Sequence, residues 1–567
     1  MIHRFFWGLR KMVVKACSED LLAKILRLYR LILLPVDILR THQIKKLHRH
    51  QKPLLKSNGP ILFWAPGGMP LMLHVEAALA SALRLRGIPV HMVICDGIYR
   101  ACHIRFHTKR LPIEKWKNTC LGCRAETSRI LNIFSVPYSY IGDFLEKTPI
   151  HEMHKEIDSL TWDTLDQFSY GAVNLGDHVK SSIAYYLMGR HYDGNRQLLH
   201  EYAFSALACA HAASHAMDRL NPSRLFMSHC MFTDWGPALR LAFQRKLPVI
   251  GWCSAYLPWH FYFCNIDSPS NVHLHHISQE SWRHCTQDPL TPKQEARLDR
   301  YLEKRYGSGK NFDIGAFEPY SGKTNLLLEK YGLAPDKPIW SLLCHFNSEA
   351  AYDCFPTIYQ ELSVWTLATI RELLPLSHVQ WLIKVHPTEA RCNPEYGNEK
   401  LIAKYFPTLP SHIRMVGSKN TISPLDFYHL VDGGITVCGT SGLELALLGK
   451  PVILAGQAHY SRKGFTYDAL DMDTYRGLLQ RAHTLPPLTS EQRRLARRFA
   501  YCQFLERQIP LSMLQNPYSD WWAFQYDRRE ELIPGKNRFV DFLCERIVDG
   551  RDFIMDEELV ALAEQMH

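Results

Sequence analysis

Residues 434–468 read GITVCGTSGLELALLGKPVILAGQAHYSRKGFTYD, and the order of residue types in this stretch decides the fold. The run 435–438 predicts a buried strand, Gly439 and Thr440 a tight turn, 441–448 a short helix, and 451–455 the next parallel strand. This is the repeating unit of a doubly wound sheet. At its turn, Thr440, Ser441 and the amides of Gly442 and Leu443 stand at a helix N-terminus, where partial positive charge and N–H groups favour a phosphate. The corner from Gly439 to Gly442 is therefore a candidate anion seat. Such a corner is also an ordinary connection in any α/β protein. Its surroundings favour a ligand: Glu444 is within reach of a sugar hydroxyl or of the helix start, and His459, Tyr460 and Thr466 load the following loop. All of them fall at the carboxyl ends of strands, where open sheets bind ligands.

Working outward, 339–344 predicts a strand ending in His345, Phe346 and Asn347, 362–374 a helix, and 379–385 a strand ending in His386-Pro387-Thr388-Glu389. Lys384, His386 and Glu389 thereby join Thr440 and Ser441 at one sheet edge. A histidine there donates to a nucleotide phosphate, and a carboxylate accepts from ribose hydroxyls. The alternative for His386 is a histidine that caps or packs at the strand end.

The first half repeats the pattern. An apolar strand at 61–65, Pro66-Gly67-Gly68, a helix closed by Gly87 and a strand at 90–95 form a βαβ unit. Near its helix start stands His74, a candidate catalytic base or an ordinary capping histidine. Strands at 225–228 and 248–252 flank a polar loop at 229–236, HCMFTDWG, and a helix at 237–245. The loop puts His229 and Asp234 at a strand's carboxyl end, as candidates to take a proton from an acceptor hydroxyl or to stabilise an oxocarbenium-like centre; capping of the next helix is the alternative for Asp234. Cys120 and Cys123 make a C-x2-C knuckle that Cys95 and Cys102 complete as a four-thiolate set for a structural zinc or iron–sulfur centre, with a redox pair or free thiols as the alternative.

The 567 residues are 46% hydrophobic and 22% charged, an ordinary composition for two folded domains with appendages and not for a disordered chain. The net charge of +10 sits in residues 1–56, which hold 13 Lys and Arg against Glu19, Asp20 and Asp37; the rest is neutral on balance. Helically spaced Phe5, Phe6, Trp7, Leu21, Leu22, Ile25, Leu26, Leu28 and 31–34 lie between those basic residues, and Lys24, Arg27 and Arg30 keep any apolar run short of the ~20 residues that span a bilayer. The arm is expected to lie on an anionic membrane surface or to pack on the body of the protein, and nucleic acid is not an expected partner. No cleavable signal pattern is visible, and sixteen cysteines suit a reducing, cytoplasmic setting.

The expected organisation is a basic arm at 1–56, an N-terminal Rossmann-like domain at 57–265, a linker at 266–335, a C-terminal Rossmann-like domain at 336–480, and helices at 481–567 packing back across both. A capping box opens a helix at Thr489, and a final helix over 541–566 is expected to break near Gly550.

LIKVHPTE at 382–389, SPLDFYHLVD at 423–432 and the run 438–468 together resemble bacterial capsule polysaccharide biosynthesis proteins, a set that includes transferases of 3-deoxy-manno-octulosonic acid (Kdo). CDG at 95–97 and SHCMFTDWGPALRLA at 228–242 also look like segments of surface-polysaccharide glycosyltransferases. The resemblance implies a GT-B architecture, two Rossmann-like domains facing across a cleft, with the donor nucleotide on the second and the acceptor on the first. The layout is similar to that of bacterial sialyltransferases, in which an HP pair and a Ser/Thr pair grip the phosphate of a CMP-sugar; His386-Pro387 and Thr440-Ser441 stand at matching places. It implies a glycosyltransferase at the inner membrane surface, favouring a CMP-sugar donor and a lipid-linked or polysaccharide acceptor, with no metal or other cofactor required for the chemistry. A nucleotide-sugar 2-epimerase, a CDP-polyol phosphotransferase and a non-catalytic membrane-bound assembly factor are the alternatives.

Overall fold

A computed structural model describes residues 19–49, 54–67, 69–103, 116–145, 150–188, 192–268, 272–307, 309–311, 315–347, 352–354, 356–392, 397–516 and 522–566. Phe5, Phe6, Trp7 and Gly68, named above from the sequence, lie outside them. The chain divides into two compact units, one formed by Met1–Tyr186, Tyr192–Pro269 and Ile509–Phe553, the other by Leu187–His191, Ser270–Gln508 and Ile554–His567. The stretch expected as a linker is thus shared between them: from Ser270 onward it belongs to the second unit, with the helices Gln279–Cys285, Pro292–Gly307 and Thr324–Tyr331.

In the first unit, β1 (Ile61–Trp64), β2 (Val90–Ile94), β3 (Tyr138–Tyr140), β4 (Arg224–Ser228), β5 (Val249–Ser254) and β6 (His260–Ile266) form a sheet ordered β3-β2-β1-β4-β5-β6, closed at the far edge by Ile509–Pro510. The chain runs outward from β1 to β3 and returns to lay β4 against β1, with Ile61 facing both Val90 and Arg224. That reversal is a topological switch point. All pairs up to β5 are parallel, whereas β6 runs antiparallel to β5. β1 is buried throughout, which is why it reads as an unbroken apolar run with no alternation.

The second unit contains β7 (Ile339–Leu343), β8 (Gln380–Lys384), β9 (Ile413–Val416), β10 (Gly433–Thr436), β11 (Val452–Leu454) and β12 (Tyr467–Asp468), ordered β9-β8-β7-β10-β11-β12 and parallel throughout. The same outward run and return recur, with the switch between β7 and β10. A Cβ on Gly434 would meet Leu445 Cδ1 at 2.4 Å, so this glycine in β10 lets the helix Thr440–Leu447 lie close on the sheet. The core holds fully buried Trp340, Trp365 and Trp381; Trp365 Nε1 finds a partner in Tyr475 Oη at 3.0 Å, as a buried indole must.

The doubly wound α/β class and the two Rossmann-like units are as the sequence predicts. The helix Ser490–Tyr501 opens with the expected capping box of Thr489 and Gln492. The last helical stretch breaks at Gly550, whose φ of 79° ends Arg538–Asp549 ahead of Glu557–Glu564. The arm forms the helix Glu19–His48. Its second half packs on the first unit: Ile44 is buried, Arg129 bonds Asp37 at 2.7 Å, and Arg40 covers the Tyr526 ring at 4.0 Å. Leu28, Leu31, Ile32, Leu34, Ile38 and Leu39 remain exposed.

Candidate functional site

The strongest site lies in the second unit, at the carboxyl ends of β8, β7 and β10, three neighbours astride the switch point. β7 ends into His345, β8 into His386, and β10 into Cys438 just ahead of the helix Thr440–Leu447. His345 links the other two: its Nε2 lies 3.0 Å from Cys438 Sγ, and its ring stacks parallel to that of His386 with centroids 6.2 Å apart. The His345 carbonyl is held by Asn398 Nδ2 at 2.7 Å, and His386 Nδ1 accepts the Thr388 N–H at 3.2 Å. The sheet edge therefore carries two imidazoles and a thiol in a continuous row beside the helix terminus.

Gly439 is the residue before that helix, in extended conformation, and its carbonyl accepts from Tyr460 Oη at 2.6 Å. A Cβ on Gly442 would come within 2.1 Å of the same hydroxyl. Glycine is thus required at Gly442 for Tyr460 to brace the turn from behind, and the Gly442 N–H, expected to face an anion, instead donates to the Gly439 carbonyl at 3.1 Å and closes the turn. Thr440 and Ser441 are half-buried at the rim. The dipole of the helix and its first-turn amides offer an anion a seat without a side-chain cation.

Lys384 supplies a cation below the rim. Burial lowers its pKa to about 8, Glu444 works against that shift, and its Nζ lies 5.1 Å from the centre of the Phe427 ring.

The two carboxylates expected to meet sugar or ribose do other work. Glu444 is buried, receiving Arg305 through Nε and Nη2, both at 3.2 Å, and Tyr428 Oη at 2.5 Å. Glu389 accepts from Asn398 through backbone N and Nδ2, each at 2.9 Å, and from Glu399 N at 3.3 Å, so it caps the helix Asn398–Tyr405. Burial raises its pKa against these bonds. Of the eight residues assigned to the nucleotide, Lys384, His386 and Gly439 to Gly442 gather at the corner, while Glu389 and Glu444 turn inward to hold its supports. His345 and Cys438 complete the row; the sequence marks His345 as a polar strand end but nothing in it pairs the two.

In the first unit the helix expected from Pro237 begins at Phe232, so Asp234 stands in its first turn, fully buried. The carboxylate accepts the His103 N–H at 3.1 Å and the Thr233 hydroxyl at 3.0 Å, and its carbonyl accepts Trp64 Nε1 at 2.9 Å. Asp234 is a clamp between strand, loop and helix. His229 has a left-handed backbone, as do Cys230 and Phe232, with φ of 58°, 61° and 64°. Three such non-glycine residues in one loop are strained and persist only where surroundings over-determine them. Here the His229 ring stacks on Trp235 at 4.9 Å and lies 5.2 Å from that of His103, which itself stacks on Tyr185 and Phe232 at 4.7 and 4.9 Å. His74 lies in the second turn of Pro70–Leu85, half-buried, two residues before Glu76. Glu76 is buried, accepts Trp252 Nε1 at 3.1 Å, and is raised to a pKa of about 8 by that burial.

Cys95 lies near enough to Cys120 and Cys123 for their charges to raise its pKa further above the value that burial gives, and its Sγ accepts the Gly97 N–H at 3.2 Å. Among the described residues the groups whose ligating atoms converge three at a time are His273, His275 and His459, and Cys285, Cys502 and Glu506, not these thiols.

Residues 367–483 match the family model described as capsule polysaccharide biosynthesis protein. No curated protein matches. Solved structures that resemble the chain include two of KpsC from Thermosulfurimonas dismutans. The beta Kdo 2,4 transferase shares 16% identity over 55% of this chain and 87% of its own, with a TM-score of 0.34. The beta Kdo 2,7 transferase shares 15% over 57% and 88%, with a TM-score of 0.32. UDP-GlcNAc 2-epimerase of Neisseria meningitidis, bound to UDP-GlcNAc, shares 10% over 78% and 96%, with a TM-score of 0.24. Similarities of that depth leave function to the residues themselves. The matched stretch 367–483 carries the whole of the corner except His345, and over it the chain is similar to capsule polysaccharide biosynthesis proteins, the resemblance that LIKVHPTE and CGTSGLELA imply.

Proposed function

We propose that the protein is a glycosyltransferase that moves a sugar from a nucleotide donor to a lipid-linked or polysaccharide acceptor in capsule or surface polysaccharide synthesis. The observation that supports this most is the row of His386, His345 and Cys438 beside the N-terminus of Thr440–Leu447, at the switch point of a parallel sheet and, His345 apart, within the family-matched residues. Donor cleavage leaves negative charge on the nucleotide phosphate. A helix terminus, the His386 imidazole and Lys384 stabilise that charge as it develops, with His345 fixed beside them by Cys438 Sγ and the Phe346 N–H, both at 3.0 Å. A CMP-sugar, Kdo or a related one, is the favoured donor. The basic arm, with apolar residues exposed along it, suits an anionic membrane surface where a lipid-linked acceptor resides.

The test is transfer from a panel of CMP-, UDP- and other nucleotide sugars, with His386→Ala and Ser441→Ala beside the parent protein. Each substitution is expected to lower transfer roughly tenfold or more, the loss of one charge-assisted contact, with the far-UV spectrum unchanged. Equal rates in all three proteins would remove the corner from the mechanism.

A further inference from the structure

Among the described residues of the second unit, a cluster of three histidines, two half-buried and one buried, has no part in sugar transfer. His273 and His275 belong to the sequence His273-Leu274-His275-His276, and His459 follows β11 almost two hundred residues later. Their rings converge: centroids lie 5.2 Å apart for His273 and His275, 5.0 Å for His273 and His459, and 5.4 Å for His275 and His459. One nitrogen of each lies within 4.8 Å of the others. His459 is 2% exposed, and neither of its ring nitrogens has a hydrogen-bond partner. A native interior seldom leaves an imidazole in that state, and the omission points to a ligand. Burial pushes all three groups below the usual histidine range, His273 to about 3, and His273 Nδ1 accepts the His275 N–H at 3.3 Å.

The other convergent group, Cys285, Cys502 and Glu506, is less open to a cation. Arg498 already holds both Glu506 oxygens, at 2.9 and 3.1 Å.

We propose that His273, His275 and His459 bind a zinc-class divalent cation, one nitrogen each, leaving a fourth position for an anionic oxygen. Imidazole is an ordinary ligand for such ions. A tetrahedral zinc with nitrogens at ~2.05 Å separates them by roughly 3.3 Å, which small side-chain rotations reach from the present spacing. Three neutral ligands leave the double charge uncompensated, and the Arg507 guanidinium, which donates to the His275 carbonyl, adds positive charge beside it. An anion is therefore the fitting fourth ligand. The site adjoins the corner: Tyr460, whose ring lies 5.0 Å from that of His459, holds the Gly439 carbonyl at 2.6 Å. A nucleotide phosphate is the anion within reach; this last clause rests on the phosphate reading of the corner.

The experiment is a Co²⁺ titration of the full, chelator-treated chain followed by visible absorption, with Zn²⁺ as competitor and CMP added last. One Co²⁺ per chain with a tetrahedral spectrum is expected. His459→Ala should weaken binding by at least roughly 100-fold, more than the loss of an outer-shell partner costs, and His459→Cys should restore it with an added thiolate-to-metal band. His386→Ala should bind Co²⁺ as the parent does, yet lose the spectral change on adding CMP. Absence of stoichiometric Co²⁺, or binding that both His459 variants leave intact, overturns the metal site whatever the nucleotide does. Should His459→Ala fail to fold by circular dichroism, a folded His459→Cys without the thiolate band overturns it equally. Stoichiometric Co²⁺ with no response to CMP overturns the fourth-ligand clause alone.

Discussion

At the scale of single residues, burial decides which polar groups are chemical and which structural. Glu76 is the sharpest case. Its pKa rises from 4.5 to about 8 because its carboxyl is buried, with one indole N–H as partner. The folded state therefore binds the proton more tightly than the unfolded chain. The stability this confers is complete below pH 4.5 and is lost as pH rises through about 8. Glu76→Gln, which keeps an acceptor for Trp252, is expected to flatten that decline. Thermal unfolding across pH 4.5 to 8 should show the parent losing ground to the variant by up to on the order of 1.4 kcal/mol per pH unit; parallel curves would mean that Glu76 is ionised at neutral pH. His386 and Lys384 were legible in the sequence because a polar residue closing an apolar strand has few places to go but the sheet edge. Glu444 and Asp234 were not, since what neutralises or fills them arrives from far along the chain: Arg305 for the one, His103 for the other. Replacing Glu444 by Ala would leave the Arg305 guanidinium buried without its counter-ion, a loss of about 3–5 kcal/mol measurable by urea denaturation.

At the scale of elements, the order strand, turn, helix, strand was readable wherever the strand is a continuous apolar run, as at β1, β7 and β8. Two things were not. Pro237 marks a helix start in sequence terms, because its fixed φ and missing N–H suit a first turn, yet the helix begins five residues earlier, with the strained loop and its stacked rings determining the start. The antiparallel β6 was also hidden, since an aromatic-rich segment such as HFYFCNI does not reveal the direction of its partner. Around the corner, the helix Thr440–Leu447 depends on Gly442. Gly442→Ala places a methyl against Tyr460 Oη and is expected to cost about 1–3 kcal/mol by overpacking and to weaken nucleotide binding, as calorimetry can check. Gly477→Ala is the contrast. It sits in the helix Met472–Gln480 with no neighbour near the new methyl, and a gain of about 0.4–1 kcal/mol is expected.

At the scale of the whole molecule, the chain builds the same strand order twice and threads between the two units more than once, with Ile509–Phe553 returning to the first unit after the second is nearly complete. Composition could suggest two domains but not that return, because Ile509–Pro510 is only two residues long and its pairing with β6 is tertiary. The charge distribution was fully readable, and it bears on location. Among the described residues no helix is long and apolar enough to cross a membrane, while the arm exposes leucines and isoleucines among basic residues. Flotation with vesicles should find the protein on phosphatidylserine- or phosphatidylglycerol-containing bilayers and not on neutral ones, and binding should fall as salt is raised. Equal recovery with neutral vesicles, or deletion of residues 1–34 without effect, would assign the arm another role. The central claim is the phosphate seat, and a crystal of the full chain soaked with CMP and with UDP tests it most directly. Nucleotide density is expected with a phosphate between His386 and Ser441 in the first turn of Thr440–Leu447, and with CMP the better occupied; a nucleotide bound elsewhere while that corner stays closed by side chains would contradict it.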